Sequence, residues 1–228
     1  MRVLVVAGTD TGVGKTVVTA ALAALARASG ERVAVVKAVQ TGVAPGEPAD
    51  VDEVRRLAAI EDVHELVRLF EPLAPATAAR RGGGDVLSVG EIAAAVERLT
   101  AGRDLVLVEG AGGLLVHLDH AGGTIADVAA LLRAPVVVVA RAGLGTLNHT
   151  ALTCEALRAR EVPCAGVVVG AWPQHPDLAA RCNLEDLAVY AGAPVLGRLP
   201  ENAGRLAPVP FLAAAHGIRL SDPQEVPA

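Results

Sequence analysis

Apolar runs alternate with amphipathic, alanine-rich segments along almost the whole chain. The apolar runs predict six strands, at 2–7, 32–38, 104–109, 135–140, 164–170 and 194–198. The segments between them predict six helices, at 15–29, 50–60, 88–101, 124–133, 147–160 and 177–191. Because the runs are rich in valine and leucine at consecutive positions, they are typical of strands buried on both faces. The alternation predicts an α/β fold with a doubly wound, mostly parallel sheet flanked by helices.

The pattern has no break that would divide the chain, so we expect a single domain over residues 1–228. Ser88 and Glu91 have the spacing of a capping box at the start of the third helix. Residues 72–86 are rich in proline, glycine and arginine, which predicts a loop. The segment after Glu201 predicts an appended helix, and the residues after about 216 predict a loose tail.

The junction between the first strand and the first helix has the sequence of a phosphate-binding loop, GTDTGVGKT at 8–16. Glycines allow backbone N–H groups to surround phosphate oxygens, and the positive end of the helix dipole faces the same anion. Lys15 supplies a positive charge for the β- and γ-phosphates, and the Thr16 hydroxyl suits Mg2+. Five residues separate Gly8 from Gly14 where the usual pattern has four, so this loop is a variant.

Other polar residues stand where predicted strands end, and parallel strands bring these ends to one edge of the sheet. Glu109 ends the third strand and is a candidate acid for Mg2+ or its water. Lys37 ends the second strand, and beside Lys15 it would suit an anionic substrate or a phosphoryl group in transfer. An exposed lysine at a strand end fits the pattern of Lys37 equally well.

Two further segments carry candidate binding groups. Asp50 and Asp52 open the second helix, where the dipole commonly stabilises acids. One of them fits a second Mg2+ ligand, and spacing alone does not choose between them. Thr146 or Asn148 is the expected N-cap of the helix after the fourth strand, and the free N–H groups of that helix suit a carboxylate.

Composition narrows the choice of partners. Hydrophobic residues make up 52% of the chain and aromatic residues 2%, and the net charge is −5 from 20 basic and 25 acidic side chains. An acidic chain with few aromatic residues argues against a nucleic-acid surface. No apolar stretch is long enough for a membrane span or a signal peptide. We therefore expect no nucleic-acid or membrane partner and a cytoplasmic location.

Four motifs together resemble the ATP-dependent dethiobiotin synthetase family of biotin synthesis. They are GTDTGVGKT at 8–16, KAVQTG at 37–42, VEGAGG at 108–113 and GLGTLNH at 143–149, spread over two-thirds of the chain in the expected order. Asp10 separates the chain from the related partition ATPases, which typically carry a lysine near that place. The combination is far more specific than any single motif.

The resemblance implies a homodimeric enzyme of the P-loop NTPase type. Such an enzyme converts 7,8-diaminononanoate, CO2 (or bicarbonate as its source) and MgATP to dethiobiotin, ADP and phosphate. An amine of the substrate captures CO2 as a carbamate, which receives the γ-phosphate of ATP. The neighbouring amine then attacks the carbamic–phosphoric anhydride, closes the ureido ring and expels phosphate.

The resemblance also implies a role for each matching residue. Catalysis falls to Lys37, Lys15 and Thr11, and Mg2+ binding to Thr16, Asp50 and Glu109, with Asp50 preferred to Asp52. The implied substrate-binding residues are Thr41, Gly112, Leu144, Gly145, Thr146, Leu147 and Asn148, the last five clamping the carboxylate of substrate held mainly by the other subunit. The implied nucleotide-binding residues are Gly12, Val13, Gly14, Lys15, Thr16, Val17, Asp50, Glu109, Gly110, Ala111, Gly112, Gly170, Ala171, Pro200, Glu201 and Asn202.

The chain departs from the family pattern at two positions. Ala38 stands where the lysine motif usually continues with proline. Gly170 stands where many members carry an asparagine that reads the adenine amino edge. Because glycine has no side chain to do so, we hypothesise a relaxed base preference, with other nucleoside triphosphates serving as donors.

Three other functions fit a phosphate-binding loop. A partition-type ATPase switch predicts a basic surface or an amphipathic membrane helix, and neither is clear in this acidic chain. A cobyrinate-type amidotransferase carries a glutaminase domain, for which 228 residues leave no room. A P-loop protein that only binds a partner does not require the intact set of Lys15, Thr16, Lys37 and Glu109.

Overall fold

Seven strands form one parallel sheet at the centre of the computed structural model, which describes residues 1–219. In chain order they are β1 (Arg2–Gly8), β2 (Val33–Lys37), β4 (Val63–Glu65), β6 (Leu105–Gly113), β7 (Val136–Ala140), β8 (Cys164–Trp172) and β9 (Val195–Pro200). Their spatial order is β4-β2-β6-β1-β7-β8-β9, and all six pairings are parallel. The short strands β3 (Gln40–Thr41) and β5 (Arg68–Leu69) form a separate parallel pair.

Helices cover both faces of this sheet. They are α1 (Lys15–Ala28), α2 (Asp50–Ala58), α3 (Pro75–Gly82), α4 (Val89–Leu99), α5 (Ile125–Leu132), α6 (Thr146–Arg158), α7 (Leu178–Ala191) and α8 (Pro208–Ala215), with a 3-10 turn at Ala203–Arg205. Helices α1, α2 and α8 share one hydrophobic cluster, and α3 to α7 share the other. This two-sided cover confirms the doubly wound α/β class.

Alternating side chains of each strand supply the two clusters. In β1, Leu4 and Val6 belong to the cluster with α1, whereas Val5 and Ala7 belong to the cluster on the opposite face. All four are buried, because helices lie above and below the central strands. Apolar side chains are therefore required at consecutive positions, which is the pattern seen in the sequence.

The six predicted strands and six predicted helices are all present, with ends shifted by a few residues. The capping box is also confirmed: the Ser88 hydroxyl accepts the Glu91 N–H, and the Glu91 carboxylate accepts the Ser88 N–H at 2.8 Å. The third predicted strand continues past Glu109 to Gly113. Glu109 therefore lies within a strand and is 1% exposed, instead of ending the strand as expected.

One prediction about an irregular segment is wrong, and one edge strand was missed. The expected loop at 72–86 contains α3, in which Pro75 occupies the first turn, a position where its fixed φ favours a helix. The edge strand β4 was not predicted, because three residues are too few to show a period. Its neighbour β2 supplies the pairing, with Val35 opposite Val63.

The end of the chain is ordered further than expected. The appended helix predicted after Glu201 is present as α8. Beyond it, Ile218 is 3% exposed and forms an antiparallel bridge with Gly197, so the expected tail does not begin at 216. The rest of the expected tail, 220–228, lies outside the described residues. Within 1–219, no helix has the length and apolar character needed to cross a membrane.

Candidate active site

Strand register brings two ionic side chains together at the carboxyl edge of the sheet. Lys37 of β2 is paired directly with Glu109 of β6, so both side chains project from the same face. Lys37 Nζ lies 2.7 Å from Glu109 Oε1, 2.6 Å from Asp50 Oδ2 and 3.1 Å from the carbonyl oxygen of Gly110. The alternative of an exposed strand-end lysine is wrong, since Lys37 is 4% exposed.

The charge of Lys37 is set by these partners. Burial opposes a charged ammonium, but the carboxylates of Glu109 and Asp50 outweigh it and raise the pKa of Lys37 above its usual value. Lys37 therefore stays an ammonium at neutral pH, in a place from which water is largely excluded.

The phosphate-binding loop connects β1 to α1. Gly12 and Gly14 have positive φ angles of 71° and 99°, which only glycine adopts readily. Gly14 is the N-cap of α1, and that helix has no acidic residue in its first turn. Its free N–H groups and positive dipole end are therefore available to an anion.

Lys15, the first residue of α1, lies over this loop. Its Nζ donates to the carbonyl oxygen of Asp10 at 2.9 Å. Burial and the nearby charge of Lys37 lower the pKa of Lys15 to about 8. Lys15 and Lys37 are the only two lysines among 228 residues, every other basic side chain being an arginine. Both lie in this one site.

Oxygen ligands lie beside the two ammonium groups. The Thr16 hydroxyl donates to Glu109 Oε1 at 2.9 Å, and Asp50 reaches the same neighbourhood through Lys37. Asp52 is engaged elsewhere: it accepts the N–H of Ala49 at 2.9 Å and pairs with Arg55. Of the two acids that spacing could not separate, the structure brings only Asp50 to the site.

Sequence reasoning missed Gln40, which connects two of the implied residues. Its side-chain carbonyl accepts the N–H of Asp50 at 3.1 Å, and its amide nitrogen donates to the carbonyl of Thr41 at 3.0 Å. Gln40 is 5% exposed, and a buried amide normally makes hydrogen bonds. Its place in the motif at 37–42, among otherwise apolar and small residues, was the available signal.

Thr11 and Gly112 meet on the other side of the loop. A β-carbon built on Gly112 would lie 3.6 Å from Thr11 Oγ1 and 2.9 Å from Val116. Gly112 has a φ of 68°, so any other residue there would be strained as well as crowded. Thr41 lies in the small β3–β5 pair, partly buried, and no side-chain hydrogen bond links it to Lys15 or Lys37.

A cavity of about 340 Å3 opens between the ends of β8 and β9. Its lining comprises Trp172, Pro173, Gln174, Pro200, Glu201 and Asn202. Three implied nucleotide residues, Pro200 to Asn202, therefore line it, while Gly170 and Ala171 do not. Arg198 lies 4.4 Å above the ring of Trp172. Trp172 was missed, although it is the one tryptophan of the chain and ends a strand at the ligand edge.

Gly170 is buried beneath the phosphate-binding loop. A β-carbon there would lie 2.1 Å from the carbonyl oxygen of Val13 and 3.2 Å from Gly14 Cα. Glycine is thus required for the close approach of β8 to the loop. Position 170 does not face the cavity, which corrects the expectation that it stands at the base.

The segment before α6 differs from expectation at its cap. Gly145, with a φ of 87°, is the N-cap, and no side chain caps the helix, so the expected caps at Thr146 and Asn148 are wrong. Leu144 is 83% exposed and Asn148 is also exposed, whereas the Thr146 hydroxyl is buried without a hydrogen-bond partner. Leu147 is partly buried. No hydrogen bond joins this segment to Lys15, Lys37 or Glu109 within residues 1–219.

The arrangement suits phosphoryl transfer between two anions. The N-terminus of α1 and Lys15 form a positive site that would suit a phosphate chain, while Lys37 brings a second positive charge to the same edge. Two carboxylates and a hydroxyl stand beside them, so the site is not purely cationic. The exposed apolar side chain of Leu144 lies two residues before the first residue of α6.

Known proteins share both the sequence and the fold. The family model described as "AAA domain" matches residues 2–207. The ATP-dependent dethiobiotin synthetase BioD of Frankia casuarinae is 61% identical over 94% of this chain and 90% of that protein. The protein of the same name from Saccharopolyspora erythraea is 64% identical over 89% of each chain.

Solved structures extend the likeness of the fold. A MinC:MinD cell division protein complex of Aquifex aeolicus matches with a TM-score of 0.61 at 17% identity, covering 94% of this chain and 92% of that one. A ParA family ATPase of Chlorobium tepidum matches with a TM-score of 0.56 at 14% identity, covering 94% and 90%. At such identities these matches show the fold alone. The family model and the relatives of about 60% identity show more: the chain belongs to the ATP-dependent dethiobiotin synthetase family.

Proposed function

We propose that the chain is an ATP-dependent dethiobiotin synthetase, a ligase that forms the two C–N bonds of a ureido ring. Its substrates are 7,8-diaminononanoate, CO2 and MgATP, and its products are dethiobiotin, ADP and phosphate. Relatives with that name cover most of the chain. The observation that carries the proposal is the convergence of the only two lysines on one edge of the sheet, beside a loop that is built for phosphate.

The reaction needs positive charge in two places. One amine of the substrate attacks CO2 and loses a proton, which gives an anionic carbamate. A carbamate oxygen then attacks the γ-phosphorus and ADP leaves. Lys15 and Lys37 neutralise the two anions as they approach, and Thr11 binds the carbamate through its hydroxyl. The second amine attacks the carbonyl carbon of the anhydride, closes the ring and expels phosphate.

Magnesium fits the oxygen ligands of this edge. Thr16, Asp50 and Glu109 would hold it, because it commonly takes one or two carboxylates together with phosphates and water. When bound, magnesium neutralises charge on the phosphates. Lys37 contacts both carboxylates and would share them with a bound metal, and Gln40 holds the backbone of Asp50 in place.

The cavity at Trp172 is the proposed site of the base. Its walls offer an aromatic ring, two prolines, the carboxylate of Glu201 and the side-chain amides of Gln174 and Asn202. Val17 of α1 and Gly110 and Ala111 of β6 are the remaining proposed nucleotide contacts, the last two on the side of β1 away from this cavity. We expect CTP, GTP and UTP to serve as donors beside ATP. Equal rejection of all three in a turnover assay would contradict this expectation.

We further propose that the enzyme is a cytoplasmic homodimer with the substrate between subunits. Leu144 to Asn148 clamp the carboxylate of substrate that lies in the partner's site, and Thr41 with Gly112 contacts the diamine. The 83% exposure of Leu144 and the uncapped N-terminus of α6 support this role. In one chain alone Leu144 and Asn148 face solvent, whereas Thr146 is buried.

A single assay separates this function from the alternatives. ATP hydrolysis should rise when 7,8-diaminononanoate and bicarbonate are added together, and dethiobiotin should form in equal amount. DNA or lipid should not stimulate hydrolysis, as they would for a partition-type ATPase, and glutamine should not either. Hydrolysis that ignores the diamine would refute the proposal.

A further inference from the structure

Asp10 is bound from three directions, although it has no role in the reaction as described so far. Arg141 Nη2 donates to Asp10 Oδ2 at 2.8 Å, and the N–H of Thr11 donates to Oδ1 at 2.7 Å. Lys15 Nζ donates to the carbonyl oxygen of Asp10 at 2.9 Å. A single residue thus joins a guanidinium, the backbone of the phosphate-binding loop and the lysine that faces the nucleotide.

Arg141 lies between the two segments that bind the two substrates. It directly follows β7, where the carbonyl of Val139 accepts the N–H of Thr9 from the start of the phosphate-binding loop at 2.9 Å. Two residues later, Gly143 opens the segment that leads into α6, and Asn183 Nδ2 holds the Gly143 carbonyl at 3.1 Å. The chain from 141 to 143 is therefore fixed at one end to the loop and at the other to α7.

Stability alone does not account for the Arg141–Asp10 pair. The two side chains are 45% and 50% exposed, and ion pairs this exposed contribute little to the free energy of unfolding. Lys15, which contacts the carbonyl oxygen of Asp10, is better buried, with 8% of its surface exposed. A shift of the Arg141–Asp10 pair would therefore move the Lys15 ammonium but would change the free energy of unfolding little.

We propose that Arg141 is a positioning residue for nucleotide binding, which acts through Asp10. The guanidinium fixes the Asp10 carboxylate, the carboxylate fixes the turn at Thr11, and the Asp10 carbonyl fixes the ammonium of Lys15. Through the short link to Gly143, the same contact couples the nucleotide loop to the segment before α6. This coupling rests on the function proposed above, whereas the effect on the loop does not.

The first experiment measures the Kd of a non-hydrolysable ATP analogue with magnesium by calorimetry. Arg141→Ala should weaken binding by at least about fivefold, the lower end of typical coupling effects. Arg141→Lys should stay close to the parent protein, because the observed contact uses one N–H donor. Arg32→Ala, which breaks the exposed Arg32–Asp104 pair far from the site, is the matched control. An unchanged Kd in Arg141→Ala overturns the proposal.

Asp10→Ala distinguishes positioning from a direct charge effect. Asp10 is an anion next to the phosphate site, so on charge alone its removal would tighten nucleotide binding. If the pair positions the loop, Asp10→Ala weakens binding instead, and the double variant is no weaker than the worse single variant. Tighter binding in Asp10→Ala overturns the proposal.

The two lysines supply a spectroscopic test that needs no ligand. Labelling with 13C-lysine gives one side-chain signal each for Lys15 and Lys37. Arg141→Ala should move the Lys15 signal and leave that of Lys37 in place, since only Lys15 contacts Asp10. A Lys15 signal that does not move overturns the chain of contacts.

The coupling is tested by measuring nucleotide Kd with and without the diamine. In the parent protein each ligand should change the affinity for the other, and in Arg141→Ala the change should fall to less than half, in fold terms. The same change in both proteins overturns the coupling. If the parent protein forms no dethiobiotin, the proposed function fails, while the nucleotide measurements still decide the role of Arg141.

Discussion

At the scale of single residues, Lys37 is the group on which the proposed chemistry depends most. It is a buried ammonium between two carboxylates, and truncating one partner of a buried ion pair leaves the others uncompensated. Its neighbour Lys15 faces the loop instead. The two lysines of the chain therefore have separable tasks, one toward the reacting anion and one toward the nucleotide.

Lys37→Ala should lower turnover by at least about 100-fold, because it removes a preorganised charge from the reacting anions. The Kd for nucleotide should change much less, whereas Lys15→Ala should weaken nucleotide binding strongly. Stopped assays and calorimetry on both variants compare the two effects. A denaturant titration is needed beside them, since the loss of the buried pair costs about 3 kcal/mol. Near-normal turnover of folded Lys37→Ala would reject its role.

The two acids at the start of α2 give a second residue-scale prediction. Asp50→Asn should raise the magnesium concentration for half-maximal activity by at least about tenfold, the effect of losing a residue that hydrogen-bonds a metal ligand. Asp52→Asn should leave that concentration unchanged and cost about 1 kcal/mol of stability, because Asp52 caps the helix. A magnesium titration and a thermal melt of both variants are sufficient. The opposite assignment follows if Asp52→Asn shifts the magnesium dependence.

The sequence predicted which residues lie at the carboxyl edge of the sheet. It did not predict the contacts that their side chains make there. Strand ends and glycines identify Lys37, Lys15 and Glu109, because parallel strands gather their carboxyl ends. The choice of Asp50 over Asp52 depends on the rotation of α2, which spacing does not fix. The Arg141–Asp10 contact joins residues 131 positions apart, and no local sequence pattern indicates that the two side chains meet.

At the scale of elements, long buried strands and amphipathic helices were predictable, and short elements were not. A strand covered on both faces must be apolar throughout, so it can be recognised from its own run of consecutive apolar residues. The strands β3, β4 and β5 have two or three residues and exist through pairing with distant segments. The alanine-rich segment of α3 was interpreted as a loop, because a proline precedes the alanines and glycines follow them.

The packing of β8 against the phosphate-binding loop makes Gly170 the most sensitive glycine of the site. Gly170→Ala should weaken nucleotide binding by at least about tenfold, or about 1.4 kcal/mol, because a β-carbon would push on the Val13 carbonyl. It should not restore a preference for adenine. Gly82→Ala is the control, since position 82 has open space around it. Unchanged binding would show that the loop yields without loss.

The N-terminus of α6 allows binding and capping to be told apart. Asn148 makes no capping hydrogen bond, so Asn148→Ala should leave the melting temperature unchanged. The KM for 7,8-diaminononanoate should rise by about tenfold, equivalent to one lost hydrogen bond to a charged group. His149→Ala, at the adjacent exposed position, should leave the KM unchanged. An unchanged KM in Asn148→Ala would remove the proposed clamp.

At the scale of the whole molecule, no hydrogen bond within residues 1–219 joins the two lysines to the proposed carboxylate clamp at 144–148. Lys37 and Lys15 stand at the edge of the sheet, whereas Leu144 and Asn148 face solvent. A symmetric dimer answers this if each chain lends its α6 segment to the site of the other. Exposure of a large apolar side chain at 144 is also easier to explain if a second copy covers it.

Mixed dimers test that arrangement directly. When Lys37→Ala and Asn148→Ala chains are co-expressed, half of the dimers contain one chain of each kind. If the sites are shared, one of their two sites has both residues intact, so about a quarter of parent activity should return at low diamine concentration. Each variant alone should show far less. If instead every site uses residues of one chain, mixing restores nothing, because each site then keeps its own substitution. Differently tagged chains, purified as the mixed dimer, would raise the expected recovery to about half.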